Sequence, residues 1–370
     1  MPPYDYLIVG AGFFGAVFAR EAASRGKKCL VLDKRDHIGG NAFCEAISSV
    51  TVHKYGPHIF HTSNERVWQY INRFAEFNNF VNSPLASYHG RIYNLPFNMN
   101  TFNQLWGTSF PQEAKEKIAE QTARYRDISP ANLEEQALAL VGCDIYEIFI
   151  KGYTEKQWGR PCSELPPFLI KRIPLRFTYD NNYFNDKYQG IPAGGYNGIF
   201  AKLLSGCDLQ LSADFFAEKK PLTLAGKIVY TGAIDEYFSY RYGALEYRTT
   251  LFETEELETD NYQGNAVVNY TDAAVPYTRI IEHKHFEFGN GPSTVITREY
   301  PAAWKSGMEP YYPLNDERNG RLYDMYRRLA DKEQRTIFGG RLAEYRYYNM
   351  DEVVISALLA ADKELGINKT

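Results

Sequence analysis

The chain has 370 residues, with 41 Lys and Arg against 45 Asp and Glu and a formal net charge of −4, so it has neither the basic surplus that grips nucleic acid nor a one-signed tail. Its length calls for two or three domains, and no run nears the roughly 20 apolar residues of a membrane span, so no membrane insertion is expected. Five widely spaced cysteines without a C-x-x-C pair argue against a disulfide scaffold or a zinc ribbon and place the chain in a reducing cytoplasm.

Residues 4 to 33 read as strand, turn, helix, strand. Tyr6 to Val9 and Cys29 to Leu32 are continuous apolar runs, as strands buried on both faces of a parallel sheet should be. The stretch from Leu7 to Ala19 is no secretion signal, because it lacks a basic flank and is broken by three glycines. From Thr62 to about Asn78 a capping-box pattern, Thr62 to Glu65, opens an amphipathic helix. After a short strand pair around Ala86 to Asn94, the block from 80 to 165 reads as mainly helical, with Pro111 and Pro130 as starts and Gly142 and Gly152 as stops. Residues 166 to 190 are aromatic and irregular. A helix follows Gly194-Gly195, and Ile228 to Tyr230 is a strand returning to the first sheet. Alternation such as Ala266 to Tyr270 and Ser293 to Thr297 predicts antiparallel strands between about 245 and 312. The tail is a strand at Ile337, then Gly339-Gly340, then a helix from about Met350 to Leu365.

The first turn carries a chemical signal. Gly10-Ala-Gly12-Phe13-Phe14-Gly15 lies between strand and helix, with Asp33 at the end of the next strand. Gly10 makes the tight turn, Gly12 lets a pyrophosphate approach the backbone, and Gly15 lets the helix sit close to the strand. The helix N-terminus faces the anion, and Asp33 can accept from ribose hydroxyls. Gly39-Gly40, soon after Asp33, resembles the D-x-x-x-x-x-G-G element of glutathione-reductase-type flavoproteins and amine oxidases, which points to FAD rather than NAD. His53, His58 and His61, and the pair His283 and His285, do not form the closed ligand set that zinc requires, so no metal is expected.

Beyond these motifs, the stretches YDYLIVGAGFFGAVFA, KYGPHIFHT, KGYTEKQWGRP, IKRIPLRFTYDNNYFND, PYTRIIEHKHF, EPYYPLND and FGGRLAEYRYYNMDEV resemble bacterial UDP-galactopyranose mutases over nearly the whole chain. The resemblance implies an α/β protein: a discontinuous Rossmann-like FAD-binding domain (1–79, 191–240 and 314–370), an inserted helical domain (80–165) with a mobile substrate lid near 149–160, and an antiparallel sheet domain (166–190 and 241–313). It implies an isomerase that interconverts UDP-galactopyranose and UDP-galactofuranose, in which N5 of reduced FAD attacks the anomeric carbon. The product would supply cell-surface glycans. The N-acetylgalactosamine analogue is a second expected substrate, and a homodimer is the expected assembly.

Residue by residue, the resemblance implies that Arg172 and Arg279 hold the diphosphate and stabilise its departing charge, a task that suits the guanidinium fork. Tyr312 and Tyr347 would hydrogen-bond the same group. Tyr153 would stack on uracil and Trp158 would sit on the lid. Phe149 and Ile150 would line the uridine pocket, and Asn82 and Tyr183 would touch substrate. For FAD it implies Gly10, Gly12, Phe14, Gly15, Asp33, Lys34, Gly40, Asn41, His58, His61, Gly340, Arg341 and Met350. Asn349 stands where the family usually has Asp, and Pro57 where Ala is common. Two rival readings remain: a flavin amine oxidase-like oxidoreductase, and a non-enzymatic flavoprotein that senses a nucleotide sugar.

Overall fold

A parallel sheet of five strands forms the base of the protein, a computed structural model describing residues 2–126, 128–170, 173–217 and 221–366. Its order is Thr336–Phe338, Ala225–Tyr230, Tyr4–Val9, Cys29–Leu32, Asp208–Gln210. Alternation along the central strands divides the core between its faces. Tyr6, Ile8, Val31 and Val229 meet the glycine-loop helix Phe13–Ala23 and the last helix, Met350–Glu364, through Phe18, Ala357 and Leu358. Leu7, Leu30, Leu32, Ile228 and Tyr230 form a second cluster on the other side. Burial on both faces is what the unbroken apolar runs require.

The second sheet has seven strands in the order Tyr312–Pro313, Tyr247–Leu257, Thr294–Ala303, Arg279–Glu282, Val267–Tyr270, Leu85–Tyr88, Arg91–Asn94. Two corrections to the sequence reading arise here. The strand pair at 85–94, placed with the helical block, is hydrogen-bonded into this sheet. The join is parallel, Leu85 to Ser87 alongside Val268 to Tyr270, so the sheet is mixed rather than purely antiparallel. The helical layer, Met99–Trp106, Pro111–Thr122 and Leu133–Ile145, packs beside it around Phe102, Leu133, Val141, Ile145 and Tyr146.

Several helix ends also differ from the sequence reading. The helix expected from Thr62 to Asn78 spans Glu65–Ile71, and its N-cap is Asn64, whose side chain accepts from the Val67 N–H. The Thr62 hydroxyl is engaged elsewhere, accepting from the Asn64 N–H at 3.0 Å and donating to Asp351 at 2.8 Å. Gly142 does not stop its helix but kinks it, with φ of 80°. Gly152 begins a helix, Gly152–Trp158, after a π-helical turn at Tyr146–Lys151. A Cβ there would meet the Thr271 carbonyl oxygen at 2.3 Å, so the helix lies against the second sheet's backbone. No helix among the described residues is long and apolar enough to cross a membrane.

Candidate active site

A cavity of about 1130 Å³ runs between the two sheets. On its parallel-sheet side the glycine loop is shaped by backbone demands. Gly10 has φ of +104°, and a Cβ there would lie 2.0 Å from the Thr231 hydroxyl. A Cβ at Gly15 would lie 2.0 Å from the Gly10 carbonyl oxygen. At Gly12 the same atom would touch only Gly40, at 3.8 Å, so the space there belongs to the cavity. The Asp33 carboxylate fixes the loop: one oxygen accepts from the Ala11 N–H at 2.8 Å and the other from the Arg35 N–H at 2.9 Å.

Around this loop the cavity wall includes Phe14, Lys34, Asn41, His58, His61, Gly340, Arg341 and Met350, together with Gly10, Gly12, Gly15, Asp33 and Gly40, so every residue expected at a cofactor lines it. His58 Nδ1 lies 2.7 Å from the Gly56 carbonyl and therefore carries the proton. Burial holds the His58 pKa down to about 4, partly opposed by that bond, while Arg341 lowers it further. His61 Nδ1 meets Asp186 at 2.7 Å, and its ring stacks on Phe184 with centroids 3.7 Å apart. The last helix starts at the cavity, with the Asn349 N–H capped by Glu352 at 2.8 Å. Among the described residues no cluster of His, Cys, Asp and Glu could hold a metal.

The facing wall is charged and aromatic. Arg279 Nη2 donates to the Tyr153 hydroxyl at 2.6 Å, and its Nε lies 3.0 Å from a Glu299 carboxylate oxygen. Burial works against the Arg279 charge, but Glu299 and the neighbouring tyrosines hold its pKa well above the ordinary value. Tyr312 and Tyr347 stack with centroids 5.7 Å apart. Burial raises the Tyr312 pKa strongly, so its hydroxyl stays protonated. The Tyr183 N–H donates to the Asn82 carbonyl at 2.8 Å, and Phe149 meets Tyr93 edge-on at 5.1 Å.

Asn82, Phe149, Tyr153, Tyr183, Arg279, Tyr312 and Tyr347 thus share one cavity, whereas Ile150 and Trp158 are not in its wall. Ile150 is buried in the helical core, against which Trp158 packs. Arg172 lies outside the described residues. Sequence reading missed Glu299, Asn269 and Arg176, which also line the cavity. Asn269 Oδ1 is buried there without a hydrogen-bond partner. Arg176 binds the carbonyls of Asn182 and Tyr183 and so shapes the loop that presents Tyr183. The signal for Glu299 is its register opposite Arg279, which exists only once the strands pair.

A glycine-loop sheet facing a partly buried arginine across one cavity defines the class of dinucleotide-binding enzymes that hold a second ligand against the cofactor. A family model described as UDP-galactopyranose mutase matches residues 148–347, and one described as an NAD(P)-binding Rossmann-like domain matches residues 8–74. The chain is 42% identical over 368 residues to a probable UDP-galactopyranose mutase of Klebsiella pneumoniae, covering 98% of this chain and 95% of that one. It is 38% identical over 373 residues to a dTDP-fucopyranose mutase of Escherichia coli, covering 98% and 99%. A crystal structure of reduced UDP-galactopyranose mutase superposes with a TM-score of 0.76 at 15% identity, covering 99% and 96%. The chain belongs to the UDP-galactopyranose mutase family, and it is an isomerase. The oxidoreductase reading has the weaker support.

Proposed function

We propose that the protein interconverts the pyranose and furanose forms of UDP-galactose with reduced FAD as its cofactor. The observation that carries this reading is Arg279, a partly buried cation shared by Tyr153 and Glu299 and set in the same cavity as the glycine loop. The residues present fit FAD, because the open space at Gly12 admits a pyrophosphate and Asp33 retains lone pairs for ribose hydroxyls. When bound and reduced, FAD would supply a nucleophilic ring nitrogen.

The chain's own groups do the rest. Of the five guanidinium donors of Arg279, one faces Glu299 and one Tyr153, which leaves the others for phosphate oxygens. The pair with Glu299 keeps the guanidinium charged in a site where desolvation alone would weaken it. Tyr312, protonated, donates to the leaving diphosphate, with Tyr347 stacked beside it. Arg172 is assigned the second diphosphate contact on the family match alone. Arg341, which lies close enough to Tyr312 and Tyr347 to feel their charge, and the start of the last helix favour negative charge on the reduced ring. A cytoplasmic location and a homodimer belong to the same proposal.

The E. coli relative's name makes the sugar and the base the open choice. Dithionite-reduced protein, incubated separately with UDP-galactofuranose, UDP-N-acetylgalactofuranose and dTDP-fucofuranose, should convert the first to its pyranose form, as resolved by chromatography. Turnover of the dTDP sugar alone would overturn the UDP-galactose assignment, and absence of all turnover would overturn the mutase reading.

A further inference from the structure

Lys156 stands outside every role considered so far, yet it has one of the most saturated polar environments in the protein. Its ammonium lies 2.7, 2.8, 2.9 and 3.0 Å from the carbonyl oxygens of Tyr270, Asp272, Val275 and Tyr277. Tyr270 ends the strand Val267–Tyr270, and the other three belong to the connection from it to the strand Arg279–Glu282. An ammonium has three N–H donors and no acceptor, so a ring of converging carbonyls is a site that only a compact cation fills without repulsion.

The location gives this cage its meaning. Lys156 and Tyr153 are three residues apart on the helix Gly152–Trp158 and therefore share a face. Arg279 begins the strand that leaves the caged connection. The two ends of the Tyr153–Arg279 bond are thus carried by the two segments that Lys156 fastens together. The surroundings reinforce the joint: the Thr271 N–H donates to the Ser87 carbonyl at 3.0 Å, and Gly152 permits backbone contact with Thr271. The segment expected to be a mobile lid, 149–160, is in this structure bound down at its centre.

We propose that Lys156 is a positioning residue for nucleotide binding, its carbonyl cage setting the helix that carries Tyr153 against the strand that carries Arg279. The inference rests on the proposed reading that these two residues hold a nucleoside diphosphate. Small displacements of such a pair are costly because binding geometry is set before the ligand arrives.

Lys284 supplies an internal control. It makes a similar cage with the carbonyls of Asp260, Gly291 and Ser293, but that cage fastens neither the helix that carries Tyr153 nor the connection that leads into Arg279. The test compares FAD-loaded wild type with Lys156→Met, Lys284→Met, Tyr153→Phe and the Lys156→Met/Tyr153→Phe double variant, measuring UDP affinity by calorimetry together with KM and kcat. Lys156→Met should weaken UDP binding at least about tenfold, the loss expected for a charge-assisted contact. It should also raise KM by more than it lowers kcat. In the Tyr153→Phe background the same change should cost much less, because the bond it positions is already gone. Lys284→Met should lower the melting temperature and leave UDP affinity within about twofold, the size of a non-specific effect. Equal losses from Lys156→Met and Lys284→Met, or a Lys156→Met effect undiminished by Tyr153→Phe, would overturn the proposal. Should Lys156→Met not fold, Gly152→Ala pries the same joint apart from its other side, and wild-type UDP affinity in that variant overturns the proposal equally. A wild type that binds no UDP at all would instead defeat the functional reading on which the inference rests.

Discussion

Arg279 and Glu299 stand directly opposite one another on neighbouring antiparallel strands, their side chains ion-paired at 3.0 Å. Because Glu299 is only 5% exposed, removing its partner leaves a buried carboxylate uncompensated, at a cost of about 3 kcal/mol or more. Arg279→Ala should therefore lose stability as well as activity, with kcat/KM falling on the order of tenfold to several hundredfold. The Arg279→Ala/Glu299→Gln double variant should recover much of the lost melting temperature and none of the activity. Recovery of both would remove Arg279 from the diphosphate site.

The glycine loop separates binding from folding. Gly15→Ala forces a Cβ to within 2.0 Å of the Gly10 carbonyl oxygen, so it should reduce thermal stability even without cofactor. A Cβ added at Gly12 has no neighbour nearer than the Gly40 Cα at 3.8 Å, so Gly12→Val should fold but come off the column colourless. FAD retained at wild-type stoichiometry in Gly12→Val would mean that the pyrophosphate lies elsewhere.

Acid stability should depend on a chain of buried histidines. The His58 N–H donates to His53 Nδ1 at 3.1 Å, the His53 N–H donates to His283 Nδ1 at 3.2 Å, and His283 Nε2 meets the Thr297 hydroxyl at 2.8 Å. Burial lowers His283 to a pKa of about 3, and lowers His53 well below its usual value. Since the folded state resists protonation that the unfolded chain accepts near pH 6.5, stability is complete above that pH and falls as the pH drops toward the folded values. Melting temperature should decline steadily from pH 6.5 to 4. His283→Gln, which can accept from the His53 N–H and donate to Thr297, should flatten that decline. An unchanged slope in this variant would place the acid sensitivity in other groups.

Turnover should need reduction but consume none. If the proposed cofactor chemistry holds, dithionite-reduced protein will equilibrate its substrate while the air-oxidised form stays inactive, and the flavin absorbance will show no net oxidation over many turnovers under anaerobic conditions. Equal activity of the oxidised form, or stoichiometric oxygen uptake, would favour an oxidase mechanism.

What could be read from the sequence was whatever depends on neighbours along the chain. The loop from Gly10 to Gly15, Asp33 and the strands around Val229 and Ile337 obey local rules of periodicity and turn chemistry, and each lies in the parallel sheet or at the end of one of its strands. Long-range pairing was not legible. Ser87 lies beside Tyr270 because one sheet edge was free to accept it, and no local pattern encodes that choice. Thr62 was misread as a cap for the same reason: its hydroxyl was claimed by Asp351, at the other end of the chain. Trp158 was expected on the substrate lid through a motif, but the packing of its partly buried ring against the helical core depends on contacts distant in sequence.

The closure of the cofactor cleft by its own C-terminal segment sets a timetable for biosynthesis. A Cβ at Gly339 would lie 1.9 Å from the Phe14 ring, and Gly340 packs against the same side chain, so the glycine loop is completed by chain made about 325 residues after it. At synthesis rates of ~5–20 residues per second, the nascent N-terminal loop waits roughly 16 to 65 seconds for the other half of its wall. Throughout that interval the sheet lacks its edge strand Thr336–Phe338 and the helix Met350–Glu364, leaving Phe18 and its neighbours without that cover. A dinucleotide held at Gly12 would accordingly be enclosed only late in synthesis, once Gly339 and Gly340 have reached Phe14.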